Sequence, residues 1–236
     1  MCVNPETMSD HKHSHAKGVS QLTRTSRVVG STNDEVNRRQ ALVRVAARLF
    51  REKGFEATTV RDIASAVGMR SGSPFYHFAN KQDILKAVMA EGLKQGLDRT
   101  LDALKKAHTP QQRFRMLVRT HYGILHDEGS EFIAVLLYEW RSLPERHKQE
   151  IIAVKDEYDR LWHNNLSELL QLGLIGANSG QDLGTDQEAK VARLMIIGAI
   201  NFSVTWYKRR PKDDQTMDLD SLADRTVRFF MREPLP

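Results

Sequence analysis

From Glu35 onward the apolar residues recur at three- and four-residue intervals, and no segment alternates convincingly with period two. Ala41, Leu42, Val45, Ala46, Leu49 and Phe50 draw one stripe along a predicted helix. Gly54 follows its last turn, where a left-handed residue often ends a helix, and Phe55 can fold back as the hydrophobic contact of that cap. The stretch "TTVRDIASAVG" then predicts a short second helix. Thr59 is a good N-cap, and Asp62 three residues on completes a capping box and complements the helix dipole. Ile63 and Val67 face inward, Ala64 is small enough for a close helix crossing, and Gly68 stops the element after about two turns. Two short helices joined by a tight glycine turn suggest a helix-turn-helix.

Beyond Lys81 the pattern stays helical. One long helix is expected from Lys81 to Ala107, and Thr109-Pro110 supplies a cap and a first-turn proline for another through Asp127. A short helix over Ser130 to Trp140 precedes a long one opened by Pro144 and running toward Leu172. The run "GLIGANSGQDLGTD" reads as a loop. Asp186 to Trp206 and Asp218 to Arg232 are the last predicted helices, separated by "RRPKDD". The first 34 residues are polar and without periodicity, which predicts a disordered tail. The fold class expected is all-α, with the tail over 1–34, a three-helix head over 35–97 and a helical bundle over 98–236.

One stretch resists the simple pattern. "MRSGSPFYHFANK" crowds Phe75, Tyr76, His77 and Phe78 together just after Pro74. Proline is tolerated in the first turn of a helix, where its missing N–H would be unpaired anyway. With Ser71 or Ser73 as N-cap, Pro74 marks a helix start. Phe75 and Phe78 then bury against the first helix, while Tyr76 and His77 fall on other faces, where they can donate to phosphate oxygens. Asn80 can cap the next helix, and Lys81 at its start can add a phosphate contact.

Charge sharpens this reading. The chain of 236 residues carries a net charge of +5, but residues 37–107 hold fourteen Lys and Arg against seven Asp and Glu, and residues 108–236 are slightly acidic. Basic charge gathered in one early block is expected where that block alone faces a polyanion. Cys2 is the single cysteine, so no intrachain disulfide and no thiolate metal cluster is expected, and a reducing cytoplasm suits the chain. The best apolar run, Leu194 to Ile200, is far short of the roughly 20 residues a bilayer needs. A metal at "HKHSH" would need fixed geometry that a tail lacks, and neither a metal nor a cofactor is expected. No Gly-rich phosphate loop, nucleophile elbow, zinc-protease motif or Glu-x-x-His pair occurs, which argues against an enzyme.

The segment "TTVRDIASAVGMRSGSPFYHFANKQDIL" resembles the DNA-binding signature of TetR-family transcriptional regulators. The resemblance is strong over residues 37–97, with a Thr-capped helix, an Ile-Ala pair, a Gly turn, an aromatic-aromatic-His-Phe run and a Lys-opened helix. It implies that Thr59, Tyr76, His77 and Lys81 hold the DNA backbone. It presents Arg70, Ser71, Gly72 and Ser73 to base edges, with Arg70 able to grip guanine bidentately. Pro74 replaces the commoner aliphatic residue, and Phe75 stands where Tyr is frequent.

The resemblance further implies a homodimer on a pseudo-palindromic double-stranded operator, with the last two helices as dimer face and small Gly198 and Ala199 allowing close packing. The middle helices would enclose a pocket for a small hydrophobic effector that releases the repressor. Arg119, Tyr122, Tyr138, Trp140, Trp162 and Asn201 combine bulk with a polar handle and are the expected lining. "INFSVTWYKRRP" and "YDRLWHNNLSELLQLG" look like a subgroup that senses CoA thioesters, whose phosphates Lys208, Arg209 and Arg210 could meet. Two other readings remain open on the sequence: a non-specific DNA-compacting protein, against which the acidic C-terminal half argues, and an activator of the same fold.

Overall fold

The computed structural model describes residues 22–69, 74–176, 184–208 and 218–232, with side chains from residue 34 in the first of these segments and from residue 76 in the second. Residues 1–21, with Cys2 and the HKHSH run, lie outside the described residues. By its contacts the chain falls into two units, residues 1–40 and Ala41–Pro236. The second unit holds the C-terminal part of the first helix and every later helix.

The described residues form helices and turns, without strands. The helices are α1 (Leu22–Lys53), α2 (Val60–Ala66), α3 (Pro74–His77), α4 (Lys81–Leu104), α5 (Pro110–His126), α6 (Glu131–Tyr138), α7 (Glu145–Gln171), α8 (Thr185–Phe202) and α9 (Leu219–Phe230), with short 3-10 turns at Trp140–Ser142 and Ser203–Thr205. The all-α class is as the periodicity requires. One boundary is corrected: α1 starts at Leu22 rather than at Glu35, so residues 22–34 are helical rather than disordered. A helix that is already nucleated by a packed segment extends at little cost per residue, even through sequence with no apolar stripe of its own.

Two hydrophobic clusters organise the second unit. The first gathers Leu42, Val43, Ala46, Leu49 and Phe50 of α1 with Phe55, Ile63, Phe78 and the N-terminal half of α4, including Ile84, Leu85, Val88 and Met89. The second unites the bundle, with Leu97, Phe114, Leu117, Trp162, Leu166, Ile196, Ile200 and Val227 among its buried members. The sequence places the division between head and bundle at residues 97 and 98, a point that lies inside the continuous helix α4. The head cluster also reaches past it to take in Phe132, Val135, Leu143 and Ile151. Helix α4 is therefore the beam common to both clusters. At Gly92 it crosses α6 so closely that a Cβ there would stand 2.8 Å from Phe132 Cβ. No helix of the described residues is long and apolar enough to cross a membrane.

Candidate nucleic-acid interface and effector cavity

In the head, local chemistry sets the geometry. Gly54, at φ 84°, closes α1, and Phe55 packs its ring 5.3 Å from Phe50. Thr59 caps α2 with both halves of the capping box: its hydroxyl oxygen accepts from the Asp62 N–H at 3.1 Å, and its own N–H donates to Asp62 Oδ2 at 2.8 Å. The Thr59 hydroxyl also donates to Asp62 Oδ2 at 2.7 Å. These bonds, with Lys53 nearby, hold the Asp62 carboxyl below the usual carboxylate range. Thr59 is exposed, but its donors are already engaged by Asp62, so a phosphate there must compete with the cap.

Pro74 is the first residue of α3, in the first turn, where a missing N–H costs no intrahelical bond. Phe78 is buried in the head cluster, while Tyr76 is exposed, with its ring edge-on to His77 at 5.3 Å. Asn80 caps α4 by accepting from the Asp83 N–H at 2.9 Å. Lys81 is already engaged within the head. Its ammonium donates to the Phe55 carbonyl at 2.8 Å and to the Glu56 carbonyl at 3.4 Å, and it lies 4.1 Å from the Phe55 ring centroid. Its flexible stem brings the ammonium from the start of α4 to two backbone oxygens of the turn between α1 and α2. Arg70, Ser71, Gly72 and Ser73 lie outside the described residues, as does the Phe75 side chain. Part of the early basic block lies on the outer side of α1, where Arg44, Arg48 and Arg51 are exposed.

In the bundle, a cavity of about 120 Å³ opens among α4, α5, α6, α7 and α8. Its apolar wall comes from Leu93, Ile124, Ile133, Leu136, Leu137 and Ile197. One polar corner holds His121, Tyr158 and Asn201. His121 Nε2 lies 2.8 Å from Asn201 Oδ1, and Nδ1 lies 2.6 Å from the Tyr158 hydroxyl. Because Asn201 Oδ1 can only accept, Nε2 carries the proton and Nδ1 accepts from Tyr158. Burial strips the imidazolium of hydration and drives the His121 pKa down to about 4; the same burial pushes the Tyr158 hydroxyl up. The corner is thus neutral and internally matched. At the cavity wall, Asp159 Oδ2 is bonded by both Lys155 and Arg193 at 2.5 Å each. Both cations share that one oxygen, and the negative charge of Asp159 is still felt at His121 and Tyr158, where it opposes the effect of burial on His121 and adds to it on Tyr158.

Of the six side chains expected to line a pocket, Asn201 does so. The other five are placed elsewhere, each for a legible reason. Arg119 pairs with Asp220 of α9 at 2.7 Å. Tyr122 is buried against α9, its hydroxyl 2.9 Å from Thr226 Oγ1. Tyr138 is exposed, Trp140 sits in the 3-10 turn against the head cluster, and Trp162 is fully enclosed in the bundle core. Sequence reasoning passed over His121, Tyr158, Lys155 and Asp159. The i, i+3, i+4 spacing of the last three on α7 is the signal that could have found them together on one face.

Against known proteins, the family pattern described as "Bacterial regulatory proteins, tetR family" matches residues 42–88, and that described as "Tetracyclin repressor-like, C-terminal domain" matches residues 107–233. The transcriptional repressor KstR2 of Mycobacterium tuberculosis is 30% identical over 158 residues, covering 66% of this chain and 77% of KstR2. The fatty acid metabolism regulator protein of Bacillus subtilis is 25% identical over 190 residues, 80% of this chain and 92% of that protein. Among solved structures, the superantigen PfiT superposes with a TM-score of 0.69 at 34% identity, covering 83% of this chain and 97% of PfiT.

Proposed function

Because this chain belongs to the TetR family of bacterial regulatory proteins, we propose that it is a one-component repressor that binds a pseudo-palindromic operator as a homodimer and lets go when the α4–α8 cavity is filled. The observation that carries this reading is the sharing of α4. Its first half is core of the helix-turn-helix head, and Leu93 and Gly96, further along, line the cavity. A molecule that displaces the cavity wall therefore acts on the helix that carries the head, which supplies the differential contact a population shift requires.

Cavity chemistry narrows the effector. The wall is apolar, both His121 nitrogens are satisfied by Tyr158 and Asn201, and the Asp159 carboxylate is engaged by Lys155 and Arg193. What remains on offer is donors: the Asn201 amide N–H groups and the Lys155 ammonium, which lines the cavity beside Asp159. The fitting ligand has an apolar tail and a carbonyl or carboxylate oxygen, as in an acyl compound. A name such as fatty acid metabolism regulator, borne by the Bacillus relative, is in keeping with that chemistry. A cavity of about 120 Å³ is close to the ~150 Å³ that takes a benzene ring. A longer acyl chain must part the helices, and that is the motion proposed to release DNA. For a CoA thioester, Lys208 is described and exposed, whereas Arg209 and Arg210 lie outside the described residues.

The second copy of the chain fits on α8. Val191, Leu194, Met195 and Phe202 are exposed along one side of that helix, and a Cβ at Gly198 would meet nothing within 4 Å. Such a stripe is expected to be covered by another subunit. Base readout by Arg70, Ser71, Gly72 and Ser73, and backbone contacts by Tyr76 and His77, complete the proposal, with the cytoplasm as the place of work. Selection of bound duplexes from a random pool tests it. An enriched pseudo-palindrome, favoured over background by roughly 4 kcal/mol or more, is the expected result. Steep salt dependence with no enriched sequence would leave a non-specific DNA binder instead.

A further inference from the structure

We infer that Glu139, at the end of α6, is the positioning residue that transmits the state of the cavity to the helix-turn-helix, by holding the backbone N–H of Phe55. The inference rests on the effector-responsive reading and supplies its route.

Three observations meet at Phe55, in the link between α1 and α2. Glu139 Oε1 accepts from the Phe55 N–H at 3.0 Å. The other oxygen, Oε2, accepts from the Ser142 hydroxyl at 3.0 Å, which fixes the carboxylate plane. On the far side of the same residue, Lys81 at the start of α4 donates to the Phe55 carbonyl at 2.8 Å and lies over its ring. One link residue is thus gripped at its N–H from α6 and at its C=O from α4. Phe55 is itself buried, so its amide has no ready water to replace Glu139.

The body of α6 explains what would move the grip. Ile133, Leu136 and Leu137 line the cavity, and they stand within two turns of Glu139 on the same short helix. Leu136 packs against both hydrophobic clusters. Helix α6 is pinned to α4 near Phe132 by the close approach at Gly92. A group forced into the cavity cannot push α6 toward α4 at that crossing. It can rotate the C-terminal part of α6 about the crossing, and Glu139 travels with it. The link that carries Thr59 and leads into α2 is then pulled or released. Other polar ties between the head side and the bundle, Lys86 with Glu150 at 3.1 Å and Asp83 with His147 at 3.3 Å, start from α4 and α7 rather than from a cavity-lining segment of α6.

The test needs no identified effector. Ile197→Trp places a bulky ring in the cavity from α8, opposite α6, and Leu137→Phe serves if that variant does not fold. Both are combined with Glu139→Ala and with Glu139→Gln, whose amide oxygen can still accept from Phe55. Two readouts are taken on the full chain: affinity for the selected operator, and hydrogen exchange of the Phe55 amide. The filled cavity is expected to weaken operator binding about tenfold with Glu139 in place and less than threefold in Glu139→Ala, with Glu139→Gln restoring most of the coupling. Phe55 exchange should quicken about tenfold on filling the cavity, and equally in Glu139→Ala alone. A folded filler variant with equal effect on operator affinity in both backgrounds would overturn the inference, as would an unchanged Phe55 amide. A chain that binds no specific operator would defeat the regulatory reading, while the exchange of Phe55 would still decide for or against the Glu139 grip.

Discussion

The imidazole of His121 lies in the cavity wall with both nitrogens bonded, and its pKa of about 4 compares with 6.5 for the free side chain. Between those values the unfolded chain binds a proton that the folded one refuses. Stability from this residue is therefore complete above pH 6.5 and falls as the pH drops toward about 4, by about 3 kcal/mol in all. Urea unfolding at pH 7.5 and 4.5 should show the drop, and His121→Gln should remove a large part of it. Thr59 gives a second prediction: Thr59→Ala takes away the α2 cap and should cost about 1 kcal/mol in the same assay. Legibility at this scale was uneven. The Thr59–Asp62 box and the Asn80 cap could be read directly, because capping depends on neighbours in sequence. The partners of Lys81 could not, since the Phe55 and Glu56 carbonyls are brought to it by the turn of the chain.

Among the elements, apolar periodicity and terminal chemistry located α4, α5, α7 and α9 closely. Thr109 with Pro110 and Gln112, for example, builds the capping box and first-turn proline of α5. The start of α1 was missed because nothing in residues 22–34 marks a helix apart from its continuation into one. The cavity was expected among the middle helices, but most of its lining was missed for a similar reason. Tyr122 and Trp162 have the bulk and polar handle of lining residues, but α9 and α5 cover them, and which faces are covered is a tertiary fact. The α4–α6 crossing makes its own prediction. Alanine favours a helix over glycine by about 1 kcal/mol, so Gly92→Ala would stabilise an isolated α4. In the folded chain its methyl would stand 2.8 Å from Phe132 Cβ and 3.2 Å from the Phe132 carbonyl carbon. The variant should lose roughly 1–3 kcal/mol in thermal or urea unfolding, because backbone on the facing helix cannot step aside.

At the scale of the whole molecule, the uneven distribution of charge and the exposed stripe on α8 point in one direction. A basic head suits DNA, and an apolar outer helix suits a second subunit. Leu194→Glu leaves the subunit core untouched, since Leu194 is exposed and Glu is a good helix former. It is expected to convert a dimer to a monomer in sedimentation and to lower operator affinity about a hundredfold or more, through loss of the second half-site. The central claim is that one chain couples a filled cavity to operator release, and reciprocity tests it most directly. Operator affinity would be measured by fluorescence anisotropy with saturating hexanoate or hexanoyl-CoA, and the affinity of the same probe with and without operator. Our account predicts that one of these probes weakens operator binding by about tenfold and that operator weakens the probe by the same factor. A probe that occupies the cavity at full saturation and leaves operator affinity unchanged would contradict it.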